Sequence, residues 1–482
     1  MSSPLRVLLP GFRGTALPAW LRARLEAGLA GVCLFADNLV DDEKAAALTA
    51  QIRAANPDAV VAVDEEGGDV TRLAARTGSP YPGNAVLGRL DDVHLTARVA
   101  RAVARRLAAA GVTLNLAPVA DVNTNPCNPV IGVRSFGSDA GLAARHVAAW
   151  TEAHEAVGVA TSLKHFPGHG DVAVDSHLDR PVLDVDPGLL RSRELAPFRA
   201  GIDAGARTVM TSHIVVSRID PTEPATFSAP VLGGLLRDEL GFTGVVVSDA
   251  LDMRGASGRI GVPAAAVRAL AAGVDLLCLG PGTTEEQLAA VEAEIAAAVG
   301  TGALSPARLA EAASRVARLA RSVGARPVAP DRDGDLPDPA RLVAAFDVRP
   351  GAAPPAGARI VQIGTSPNVA VGGVPWGPAA TGITVDMVRP GDALPTGPLV
   401  LVGRDNHRHP WVRALVDEAR RAGPTLVVDM GWPSPDRSYA DVATFGASRA
   451  VGAALVEWLR SHGWTPPPRG HGRAPEDPGA AR

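Results

Sequence analysis

Three cysteines in 482 residues, Cys33, Cys127 and Cys278, are too few and too scattered for a disulfide framework. With no C-x-x-C pair they also exclude a thiolate zinc site. Each falls in or beside an apolar run or a turn, where a small buried hydrophobe is the ordinary reading. No apolar stretch reaches membrane-spanning length, and the first residues, cut by Pro4 and Pro10, lack the apolar core and cleavage pattern of a secretion signal. A cytoplasmic protein with no membrane partner is the expectation. Excess charge is missing too: 47 basic against 51 acidic residues leave a formal charge of −4, so there is no basic field to collect nucleic acid. A neutral or weakly charged small molecule fits better as the substrate. The G-x-G-x-x-G fingerprint of a dinucleotide fold does not follow the first apolar run, where Pro10-Gly11-Phe12-Arg13-Gly14 stands.

What is present is a globular balance, 46% apolar and 20% charged residues, in a chain long enough for two domains. Eight short β-like runs alternate with Ala-, Leu-, Arg- and Glu-rich helical stretches: 6–10, 31–35, 59–64, 113–121, 160–165, 208–213, 245–249 and 275–280. Alternation of this kind demands parallel strands with helical crossovers, and eight of them match the roughly 250-residue size of a closed (β/α)8 barrel. The predicted class is therefore α/β, with a TIM-type barrel over 1–325. A Pro-, Asp- and Arg-dense linker follows over 326–340, then a smaller α/β sandwich over 341–465 and a disordered tail over 466–482.

Five of the runs end on polar groups: Asp64, Asp121, Lys164 with His165, His213 and Asp249. Strand C-termini are where barrel enzymes keep their chemistry, so these ends predict a shared pocket. Splitting a glycosidic bond needs one carboxylate at the sugar carbon and a second group to protonate the departing oxygen. Asp249 suits the first task, although a strand-end aspartate also commonly caps the next turn. His177, two residues after Asp175 in a glycine-bearing loop, suits the second, because the carboxylate can orient the ring and raise its basicity. His165, His169, Asp171, Asp175 and His177 crowd together as a metal site would, but on a Gly/Pro loop rather than an H-E-x-x-H helix. Neither metal nor cofactor is expected. Asp64 and Arg72 flank Gly67-Gly68 and can meet sugar hydroxyls or pair with each other; Arg134 is a ligand or a structural clamp. Arg404-Asp405-Asn406-His407-Arg408-His409 reads as a solvated turn, with a loop near substrate as the alternative.

Over about residues 5–325 these motifs, with Asp64-Glu65-Glu66-Gly67-Gly68, Asn115 to Asn123, Gly132 to Gly137, Lys164 to Asp171 and Ser248 to Met253 in order, resemble the family 3 glycoside hydrolases. The resemblance is to their β-N-acetylhexosaminidase branch, which removes N-acetylglucosamine in peptidoglycan recycling. It implies a retaining exo-hydrolase in which Asp249 is the nucleophile and His177 with Asp175 the acid/base pair. Asp64, Arg72, Arg134, Lys164 and His165 would then bind the terminal sugar of a small carbohydrate substrate, in a monomer or homodimer. Asp69 departs from the family, which generally carries a basic residue after the paired glycines. Phosphorolysis by the same glycosyl-enzyme and a non-catalytic sugar-binding module are the alternatives.

Overall fold

The computed structural model describes residues 3–173, 181–324, 336–365 and 368–466. Eight parallel strands form its first part: Leu8–Leu9, Gly31–Leu34, Val60–Val63, Leu114–Asn115, Ala160–Phe166, Thr208–Thr211, Val245–Val247 and Leu277–Cys278. The second to seventh make one sheet, and the first pairs with the eighth. A bridge between Val247 and Leu276 and a hydrogen bond from Cys33 N to the Pro10 carbonyl (3.0 Å) join the two sets, closing the ring. Every predicted run thus contains a barrel strand. The run 113–121 keeps only two residues of regular strand, because Pro118 has no N–H to give the ladder.

Alternate residues serve two cores. Cys33, Val60, Ala62, Leu114, Met210, Val245 and Val247 point inward and fill the barrel, while Val32, Val61, Val63, Leu163, Val209 and Val246 pack outward under the helices. The helix Pro306–Ser322 sends Val316, Leu319 and the following Val323 into the inner cluster beside Ala30, Val60, Ala160 and Val245, residues at the starts of strands. It plugs the bottom of the barrel. At that end Asp275, fully buried, receives Arg237 (2.6 Å), Arg308 (2.5 Å) and Arg315 (3.2 Å). The pocket therefore has to open at the opposite, C-terminal face.

The second part is a six-stranded sheet ordered Asp347–Val348, Val442–Ala443, Thr425–Asp429, Leu399–Gly403, Arg359–Ile363, Asp386–Val388. All neighbours are parallel except the first pair. The helix Arg449–Ser461 packs on one face with Leu342, and Pro410–Ala422 on the other. Leu342 lies just after the predicted linker, most of which, like the predicted tail, lies outside the described residues.

The two parts share an apolar seam. Val86, from the barrel side, belongs to the second core, and the Arg89 guanidinium lies 4.0 Å over the Phe445 ring. Asp69 accepts the Ala447 N–H at 2.8 Å. A carboxylate after the paired glycines therefore docks the second part onto the first.

Candidate active site

The residues that resembled a sugar-binding set converge. Asp64, Arg72, Arg134, Lys164, His165 and Asp249 all line one cavity of about 440 Å³ at the C-terminal mouth of the barrel. His177 and Asp175 lie outside the described residues.

The floor is a knot of four charges. Lys164 Nζ donates to Asp64 Oδ1 (2.6 Å) and Glu66 Oε1 (2.7 Å), and Arg134 grips Glu66 with two parallel hydrogen bonds of 2.7 and 2.9 Å. Two cations face two carboxylates, so the cluster is neutral as a whole. Burial pushes the Glu66 carboxyl up, but Arg134 and Lys164 overcome it and hold the group far below the usual range. Burial likewise disfavours the Lys164 ammonium, and the Asp64 and Glu66 charges more than offset it. Glu66, Lys164 and Arg134 are thereby held in their charged forms. Glu65, between the two pocket carboxylates, faces the other way: its Oε2 accepts the N–H groups of Arg72 (2.8 Å) and Leu73 (2.9 Å) and so fixes the loop that carries Arg72.

Glycine makes that loop possible. Gly67 and Gly68 have φ of +73° and +63°, and a Cβ on Gly68 would sit 2.4 Å from Gly83 Cα. The turn throws Arg72 across the cavity mouth, where its Nη2 donates to the Ala370 carbonyl of the second domain (2.8 Å). Arg72 does not pair with Asp64. Val369 and Ala370 thus form part of the cavity wall.

His165 is aimed by Asp121. The carboxylate is wholly buried, takes His165 Nδ1 at 2.7 Å, and through Oδ1 accepts the N–H of His165 (3.1 Å) and of His169 (2.7 Å). Burial favours its neutral form, yet the histidines hold its pKa below the ordinary value. His169, also on the wall, is pushed down to about 4 by burial and by His165, and is neutral at pH 7. Gly170 packs so close that a Cβ would lie 1.8 Å from the Val122 carbonyl oxygen, which seats the loop leading to residue 174.

Asp249 is half-buried where the seventh strand ends. Its Oδ1 caps the turn through Ala250 N–H (2.8 Å), so the capping role and a place in the cavity coexist. His213 accounts for the turn from behind: its Nε2 lies 3.1 Å from the Ala250 carbonyl.

The shared-pocket expectation for five strand ends needs correcting. Asp64, Lys164 with His165, and Asp249 line the cavity, whereas Asp121 and His213 are fully buried behind it and act on its walls. Glu66, His169 and Asp252 line it without having been assigned there. Glu66 had a signal, the two-residue spacing from Asp64 that puts both on one face of an extended segment. The solvated-turn reading of 404–409 also fails: Arg404 and Asn406 are buried at the domain boundary. Among the described residues no group of three His, Cys, Asp or Glu is placed to hold a metal ion, and no helix is long and apolar enough to cross a membrane.

Residues 21–319 match the N terminal domain of glycosyl hydrolase family 3. A β-hexosaminidase of Stenotrophomonas maltophilia is 38% identical over 314 residues, 62% of this chain and 92% of that relative. β-Hexosaminidase A of Pseudoalteromonas piscicida is 34% identical over 317 residues, 60% of this chain; the chain spans about half, 53%, of that relative's length. The solved structure of a family 3 β-N-acetylglucosaminidase from Paenibacillus superposes with a TM-score of 0.83 at 28% identity, covering 96% of this chain and 97% of that one. The likeness therefore runs through both domains. With its closed barrel and charged mouth, this chain belongs to glycoside hydrolase family 3.

Proposed function

We propose that the protein is a retaining exo-β-N-acetylglucosaminidase that removes a terminal N-acetylglucosamine from wall or chitin fragments. The observation that carries this reading is Asp249 on the rim of a cavity whose floor carries Asp64, Arg134 and Lys164 and whose wall carries His165. Relatives named β-hexosaminidase support the class of reaction. A pyranose in that cavity offers hydroxyls to the forked and charged groups on the floor. A floor already balanced in charge holds them without needing an ionic substrate.

In this mechanism Asp249 attacks the anomeric carbon while His177, oriented by Asp175, protonates the leaving oxygen; the ester is then hydrolysed by water that His177 deprotonates. Net configuration is retained because two inversions occur. Asp249→Ala is expected to fold normally and lose at least about a thousandfold in kcat on a chromogenic N-acetylglucosaminide. Labelling with a slow fluorinated glycoside is expected to mark residue 249. A label elsewhere, or an inverted product, rules the mechanism out, and sugar 1-phosphate formed in phosphate buffer would make the enzyme a phosphorylase.

A further inference from the structure

Two of the three cysteines and two of the five methionines line the cavity that holds Asp249, so sulphur is concentrated there. Cys33 is on the second barrel strand, Met210 on the sixth and Cys278 on the eighth. With Leu116, just past the fourth, they belong to the inner core and also face the cavity. Alternate strands of an eight-stranded barrel fill one layer of its interior, so these four side chains form a single layer, the one on which the cavity rests.

Cys33 and Cys278 are neighbours in this layer. Only the strand Leu8–Leu9 separates theirs: Leu9 is paired with Cys278, and the Cys33 N–H donates to the Pro10 carbonyl at 3.0 Å. The nearness of Cys278, more than burial, pushes the Cys33 thiol up. A disulfide is not the use of such a pair. Two strand spacings put the Cα atoms roughly 9 Å apart, beyond the about 7 Å over which that bond closes without moving the backbone. An ion between the sulphurs spans the gap, because it adds two metal–sulphur bonds of about 2.3 Å each.

Four carboxylates and four lysine or arginine side chains line the cavity, so its charge neither draws nor repels a cation and the donor atoms have to select. Thiol and thioether sulphur favour soft ions, Cu(I) above the harder divalent ones. Charge favours the same choice. A monovalent cation that replaces one thiol proton leaves the charge of this buried layer as it was, whereas a divalent one adds to it unless both protons leave.

We infer that Cys33 and Cys278, with the Met210 thioether beside them, form a site for a soft monovalent cation such as Cu(I), and that a cation held there blocks the cavity above. On binding, one S–H bond breaks and one S–Cu bond forms. The proton leaves to solvent, the second cysteine sulphur donates a lone pair, and no electron changes hands.

The test uses the full chain carrying Cys127→Ser, which removes the exposed thiol, titrated without oxygen against Cu(I) held as its coloured bicinchoninate complex. The chain is expected to withdraw a single equivalent. Cys33→Ala and Cys278→Ala should each lose more than the roughly tenfold to hundredfold in affinity that loss of an outer-shell partner costs, and Met210→Leu should lose less than either. Cys278→Ala decides alone if the Cys33 variant does not fold. Zn(II) at the same concentration should displace none of the bound Cu(I). Failure to withdraw Cu(I), withdrawal that survives loss of either thiol, or displacement by Zn(II) would overturn the site. In a second arm, turnover of a chromogenic N-acetylglucosaminide is expected to fall in proportion to bound Cu(I), and Cu(I) should leave the rate of Cys278→Ala where it was. Full turnover with the site filled would overturn the blockade. This arm alone rests on the reading that the cavity takes the terminal sugar. A chain that binds Cu(I) through both thiols and cleaves no glycoside even without it would sink that reading and leave the site standing.

Discussion

Lys164 is one of only two lysines among the 47 basic residues, the other being Lys44. Arginine is this chain's ordinary cation, so the exception calls for a reason. The site between Asp64 and Glu66 is tight, with contacts of 2.6 and 2.7 Å, and a compact ammonium fits where a planar fork does not. Lys164→Arg should therefore fail nearly as badly as Lys164→Met. The methionine variant leaves two carboxylates facing each other in a buried place, and is expected to lose about 3–5 kcal/mol of stability along with sugar binding. Denaturant unfolding checks the first and KM the second; near-wild-type values for either variant would show that the knot is not what holds the floor. Such a lysine was legible in the sequence because it ends an apolar run. Arg404 was not, because charge crowded over six positions looks like solvent-facing chain, and only the covering Trp376 and the domain boundary reveal it as interior.

At the level of strands and helices, both ends of the barrel place charges by the same rule, and the consequences differ. Asp275 at the bottom gathers three arginines. Asp275→Ala takes away the one buried carboxylate they share, leaving Glu311 at the surface to hold Arg308 and Arg315 and no carboxylate for Arg237, and is expected to cost about 3–5 kcal/mol in unfolding measurements, with KM unchanged in whatever remains folded. On the helical segment Leu190–Glu194, Glu194 is buried and paired with Arg193 at 2.5 Å, yet burial outweighs that partner and lifts its pKa from 4.5 to about 7. Between those values the folded state holds the extra proton, so stability falls as pH rises through the window, and the penalty is complete above pH 7. Replacing Glu194 by Gln should thus help more at pH 8 than at pH 4, by on the order of 3 kcal/mol. Urea midpoints at the two pH values measure this, and a difference that does not move with pH would contradict it. The eight barrel strands could be read from sequence because each is a continuous apolar run walled in on both faces. The short strands Asp347–Val348, Asp386–Val388 and Val442–Ala443 could not, since two or three residues carry no periodicity.

Taken whole, the molecule is two domains with a common seam. Val86 inside the second core, Arg89 over Phe445 and Asp69 on Ala447 tie the barrel to the sheet that follows. Calorimetry is expected to show a single unfolding transition, with van't Hoff and calorimetric enthalpies equal. Phe445→Ala, which removes both an apolar filler and the ring under Arg89, should split it into two. Two resolved transitions in the wild type would mean that the seam is energetically minor. From sequence the two halves could be told apart by their strand patterns, but not that they share a wall. The contacts across the seam run between residues hundreds of positions apart, and nothing local encodes them.

Arg72 meets the second domain through the main-chain oxygen of Ala370 rather than through a side chain. Any amino acid can supply that oxygen. Divergence at position 370 should accordingly leave this hydrogen bond in place, whereas shortening the segment around it by one residue withdraws the acceptor and releases the arginine. For engineers, loop length rather than loop composition is the dial that tunes this entrance.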